Sequence, residues 1–146
     1  MVERLEPPEP PELVGTWQLR RRITDRLGGR PQFGSVTGTL TLELVPAGDE
    51  VRWHEEGTLA WNGQQLAVYR HLRIVRDEAG WTVRFEDGGE FHPWRPGRTV
   101  VHPCRADTYR GLVDVDATRT ELRVLWDVTG PAKDRRLFTR AVRTGG

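Results

Sequence analysis

With 146 residues the chain has room for one domain with a real core, and not for two. Its 22 basic residues against 21 acidic ones leave a formal charge of +1, which removes the electrostatic case for nucleic acid or an anionic membrane as partner. A single cysteine excludes an internal disulfide, and no apolar run is long enough to span a bilayer.

The first segment, MVERLEPPEPPELVG, has no basic stretch leading into an apolar run, so no secretory signal is read there and a cytoplasmic protein is expected. Its prolines remove hydrogen-bond donors and fix φ, which predicts a disordered Pro/Glu-rich tail over 1–12 and a domain over 13–146. From Gly15 the apolar residues recur with a period of two. Trp17, Leu19 and Ile23 share one face; after a Gly28-Gly29 turn come Val36, Leu40, Leu42 and Leu44. Val51, Trp53 and Leu59 follow the turn at 46–49, and Asn62-Gly63 is a strong short hairpin signal. Leu66, Val68, Leu72 and Ile74 make the next apolar face, then Trp81, Val83 and Phe85 before the Asp87-Gly88-Gly89 turn. A short extended piece carries Phe91 and His92 to Pro93, and further strands are predicted near 98–104, 107–115, 120–129 and 135–143.

No window carries a helical stripe. Closely spaced strands with tight turns predict an all-β protein, a single antiparallel meander barrel of roughly 8–10 strands, because closure buries one face and removes the edges. A two-sheet β-sandwich is the alternative, since alternation alone does not separate the two.

Strand phase also assigns polar residues to the interior. Arg21 falls on the face of Trp17, Glu55 on that of Trp53, Arg70 between Val68 and Leu72, and Asp87 after Phe85. Charges in an apolar interior must pair with one another or meet a ligand. In VHPCRADTYRG, a one-residue bulge between Cys104 and Asp107 would let His102, Cys104, Asp107 and Tyr109 line one wall near Trp126. Phe91, His92 and Trp94 form an aromatic cluster suited to capping a barrel mouth, and Lys133, the sole lysine, sits where a cation meets an anionic ligand or is simply solvated. Trp61 and His71 are expected on the outer surface or at turns, with no role.

The competing chemistries are weaker. His102 and Cys104 supply two metal ligands, with His54, His92 or Asp107 the only additions, so no metal site is expected. One histidine in an open pocket suffices for haem, but the Cys-x-x-Cys-His attachment motif is absent and no cofactor is expected. A nucleophilic Cys104 activated by His102 has to bridge Cβ atoms about 6–7 Å apart along a strand.

Gly15-Thr16-Trp17 in the first strand and Thr139-Arg140-Ala141-Val142 in the last resemble the lipocalin, or calycin, signature. The resemblance implies that Trp17 plugs the closed end of the barrel and that Arg140 packs across it. The order DGGEFH, HPCRADTY and WDVTGPAK is similar to a bacterial family of about this length and uncharacterised function. Together these readings predict a barrel holding a small organic ligand, anionic or aromatic. The ligand-binding candidates are Arg21, Trp53, Glu55, Arg70, Phe85, Asp87, His92, His102, Cys104, Asp107, Tyr109 and Trp126. Because lipocalin-like folds host cyclisation and isomerisation, a second expectation is a cofactor-independent enzyme with His102 or Tyr109 as acid and Asp107 or Glu55 as base. A third is a structural or partner-binding module whose interior charges pair internally. Oligomeric state is left open.

Overall fold

The computed structural model describes residues 6–145. These form ten strands: β1 (Gly15–Asp25), β2 (Gln32–Leu44), β3 (Glu50–Trp61), β4 (Gln64–Asp77), β5 (Gly80–Phe85), β6 (Glu90–Pro93), β7 (Thr99–Cys104), β8 (Asp107–Val115), β9 (Glu121–Gly130) and β10 (Lys133–Gly145). The protein is all-β, one antiparallel meander in the order β6-β5-β4-β3-β2-β1-β10-β9-β8-β7. Because β1 pairs with β10, the sheet curls into a nearly closed barrel, and a two-sheet sandwich is set aside. The turn chemistry sets the register as expected: Asn62 (φ 49°) and Gly63 (φ 76°) link β3 to β4 with Trp61 opposite Gln64.

The alternating apolar residues line the inside, where Trp17, Leu19, Leu40, Val51, Ile74 and Leu122 are almost fully buried. Two inward glycines, Gly38 and Gly57, face each other across β2 and β3. A Cβ on Gly38 would lie 2.1 Å from the Glu56 carbonyl oxygen, so the two backbones approach at a distance that only glycine permits.

The expected disordered tail is corrected for residues 6–12; residues 1–5 lie outside the described residues. Pro8, Pro10 and Leu13 are buried, and Pro10–Leu13 forms a short 3-10 helix across the base of the barrel. Proline fits there because a 3-10 start needs few donors and a φ near that of the ring. Trp17 Nε1 donates to the Leu13 carbonyl (3.0 Å) and Trp94 Nε1 to the Pro8 carbonyl (2.9 Å), which ties the segment down. Trp94 therefore sits at the closed end, not at the mouth.

The opening in the wall lies between β6 and β7, and aromatic rings bridge it in place of a ladder. Phe91 on β6 and His102 on β7 have ring centres 5.4 Å apart. Both flanking strands are short and carry proline, Pro93 and Pro103, which suits an unpaired edge. No helix among the described residues is long and apolar enough to cross a membrane.

Candidate functional site

The inward phase of β1, β3 and β4 brings Arg21, Glu55 and Arg70 together in the middle of the barrel. Glu55 is 5% exposed and pairs with Arg21 through Nη1 at 2.8 Å. Its other carboxylate oxygen accepts from Trp53 Nε1 at 2.7 Å, while Arg21 Nε donates to Thr139 Oγ1 at 2.7 Å. Burial works to raise the Glu55 pKa, but the Arg21 charge and hydrogen bond, Arg70 and the Trp53 N–H together hold it below the usual value. Glu55 is thus a fixed carboxylate with its oxygens engaged, ill suited to taking a proton as a base.

Arg70 differs. It lies opposite Glu55 in the β3–β4 register, yet makes no ion pair or hydrogen bond among the described residues. Its guanidinium is 6.0 Å from the centre of the Phe91 ring and borders two cavities. Burial lowers its pKa, with Glu55 acting against that and Arg21 adding to it. Two cations and one carboxylate leave this region with one unbalanced positive charge, carried by the group with free donors.

The first cavity, about 210 Å³, is aliphatic, with Leu19, Ile23, Val36, Leu59, Val68 and Leu137 in its wall. The second, about 30 Å³, lies among Trp53, Phe91, His92, Trp94 and Trp126. Arg21, Glu55 and Arg70 border both, so the charged cluster is the partition between them.

His92 reaches the interior through a bulge. The β5–β6 register passes from Val83–His92 to Arg84–Glu90, leaving Phe91 as an extra residue, so that Phe91 and His92 are both buried. The bulge expected between Cys104 and Asp107 is not there; β7 and β8 form a plain hairpin with Cys104 opposite Asp107 and Arg105 at φ 57°. That hairpin still places His102 opposite Tyr109, facing the Phe91 ring. His92 Nδ1 donates to the Pro93 carbonyl at 2.8 Å, which leaves Nε2 as the acceptor of a neutral imidazole. Burial pushes its pKa down to about 4; the Pro93 bond opposes this, and the charges of Arg70 and His102 add to it.

Phe85 stacks on Phe91 at 4.6 Å, and Trp126 stacks on the opposite face of the cluster at 4.8 Å from Phe91. Trp126 lies over Gly111, where any Cβ would collide with its ring.

Four assignments need correction. Asp87 is exposed: β5 ends at Phe85, and the Asp87 side chain accepts from the Gly89 N–H in a turn. Cys104 is exposed at the rim, because the hairpin ends there. Asp107 is also at the rim, bound to Lys133 Nζ at 3.2 Å, so that lysine is paired. Arg140 points outward to Glu121; the arginine over Trp17 is Arg143, 4.7 Å from the ring, with Nη2 donating to the Glu12 carbonyl. Counting by twos from Leu137 through Ala141 reaches Arg143 and misses Arg140, so alternation itself held that answer. His54 and His71 meet on the outer face, Nδ1 to Nδ1 at 3.0 Å. Among the described residues no group of three or more His, Cys, Asp or Glu side chains is arranged to hold a metal.

The sequence pattern of a family of unknown function (DUF6314) matches residues 13–143. The chain belongs to the DUF6314 family. The match runs from Leu13, a buried residue of the base helix, to Arg143, the arginine over Trp17, so this DUF6314 domain takes in all but the end of β10 and includes the interior cluster. No curated protein matches the chain.

Proposed function

We propose that the barrel binds a small organic anion, with its carboxylate or comparable oxyanion on Arg70 and its apolar body in the aliphatic cavity. The observation that carries this reading is Arg70 itself, an interior cation with no protein partner among the described residues. Arg70 is half-buried, so its unpaired charge carries part of the desolvation cost of an interior cation, and a bidentate oxyanion relieves that cost through two parallel N–H donors. A module whose interior charges are all internally balanced fits less well, because Glu55 is already spent on Arg21. The acid–base reading fits less well too: Asp107 is tied to Lys133 at the rim and Glu55 is held ionised. An arginine of the last strand lying over Trp17 is in keeping with a calycin-type barrel, with Arg143 in that place.

Titration calorimetry with short-chain carboxylates and their methyl esters tests the proposal. Acids are expected to bind and esters not, and Arg70→Met should weaken the acids by about ten- to hundredfold, the range of a charge-assisted hydrogen bond. Equal binding of acids and esters, or no loss in Arg70→Met, would falsify it.

A further inference from the structure

The two interior cavities differ in what each can hold, and resting on the anion reading above this difference narrows the ligand's chemistry. The aliphatic cavity, at about 210 Å³, accommodates a short hydrocarbon chain or a single ring. The aromatic one, at about 30 Å³, accommodates a single atom-sized polar group such as a hydroxyl or one water. Arg70 borders both. Of the ring N–H donors in the wall of the small cavity, only Trp126 Nε1 has no partner among the described residues. Trp53 Nε1 is spent on Glu55, Trp94 Nε1 on the Pro8 carbonyl, and His92 Nδ1 on the Pro93 carbonyl. His92 Nε2 has no partner among the described residues, yet is not sealed off, and it is an acceptor. Arg70 and His92 both neighbour the Phe91 ring, with the Arg70 guanidinium carbon 6.0 Å and the His92 ring centre 4.8 Å from its centre. A free cationic donor and a free neutral acceptor therefore line one small cavity beside one aromatic ring.

From this juxtaposition we propose that the ligand is a hydroxy acid: its carboxylate rests on Arg70, a hydroxyl beside the carboxylate enters the small cavity and donates to His92 Nε2, and its apolar chain fills the aliphatic cavity. A plain carboxylic acid leaves the His92 acceptor without a donor, and a second carboxylate would present it with another acceptor. The hydroxyl is the group that matches both the size and the polarity of the space. Because His92 stays neutral across the physiological range, it does not compete with Arg70 for the carboxylate.

The test compares hexanoate, 2-hydroxyhexanoate and 2-methoxyhexanoate by calorimetry at pH 7.5, with the wild type, His92→Phe, His92→Gln and Arg70→Met. The hydroxy acid should bind about three- to tenfold more tightly than hexanoate, the range of one neutral hydrogen bond, and the methoxy acid should lose that gain. His92→Phe should make the hydroxy and plain acids equal. His92→Gln, which retains an acceptor, should restore part of the preference; its failure to do so, with the fold intact by circular dichroism, counts against a hydrogen-bonding role. If hexanoate and 2-hydroxyhexanoate bind the wild type equally while both still need Arg70, the hydroxyl assignment is overturned, a resident water holds the small cavity, and the anion reading stands. If none of the acids binds, or all bind Arg70→Met as well as the wild type, the anion reading fails and takes this inference with it.

Discussion

Arg21 and Glu55 form an ion pair almost shielded from water, and for such pairs the loss of one partner is far more costly than the loss of both. Arg21→Met should destabilise the protein by about 3 kcal/mol, the lower end for a broken buried pair, because Glu55 loses its bonded cation and keeps only the Trp53 N–H and the nearby Arg70 charge. Arg21→Met combined with Glu55→Leu should lose less than Arg21→Met alone, as read from urea unfolding midpoints. His92 gives a pH signature. Its folded pKa of about 4 lies below the ordinary 6.5, so between these values the unfolded chain binds the extra proton. Stability is then complete above about pH 6.5 and falls with acidification, by up to about 3 kcal/mol on reaching pH 4. Glu55, also held below its ordinary value, acts in the same direction at lower pH still. Thermal midpoints of the wild type should fall over pH 6.5–4, and His92→Phe should flatten that slope; an equal slope in both would remove His92 from the account.

At the scale of the element, the close approach of β2 and β3 depends on glycine. A methyl group on Gly38 meets the Glu56 carbonyl oxygen at 2.1 Å and the Gly57 Cα at 2.6 Å, backbone atoms that have no rotamer to escape into. Gly38→Ala should destabilise by about 1–3 kcal/mol, the usual range for overpacking, with an unchanged denaturant slope in urea. The glycines also explain why space remains beside Arg70: Gly57 lies in the wall of the aliphatic cavity and projects no side chain into it. The β6 bulge has a comparable effect with opposite sign, turning two successive large rings inward beside the aromatic cavity, which is left at about 30 Å³. Both devices work through backbone spacing.

At the scale of the whole molecule, the barrel has a weak line where β6 meets β7. Ladders run without interruption from β6 round to β7, and at the join the wall depends on ring contacts among Phe85, Phe91 and His102. Backbone groups at that join have no cross-strand partner among the described residues, so their exchange is governed by local opening. Amide hydrogen exchange should be fastest among strand residues in β6 and β7 and slowest in the β1–β10 pairing that closes the meander. Protection of β6 and β7 equal to that of β1 would mean that the join is hydrogen-bonded in solution. The base is firmer, with the 3-10 segment, Trp17 and Arg143 stacked over one another.

Alternation along the chain was enough to establish an antiparallel meander and to place Arg21, Glu55 and Arg70 with Trp17 and Trp53 on the inner face, because side-chain direction in a strand is a local property with a period of two. The Asn62-Gly63 hairpin was legible for the same local reason, a positive-φ turn that those residues tolerate. What the chain order alone did not carry is who meets whom across the barrel. Arg70 without a partner among the described residues, Glu55 claimed by Arg21, and His92 turned inward with one nitrogen unpaired among them are outcomes of register, of a bulge and of how far the wall closes. The burial of Pro8 and Pro10 belongs to the same class, since a proline-rich segment shows no preference for order until a surface exists to receive it. Direction is fixed residue by residue, whereas contact requires strands distant in sequence to be brought to one place, and only the folded barrel does that.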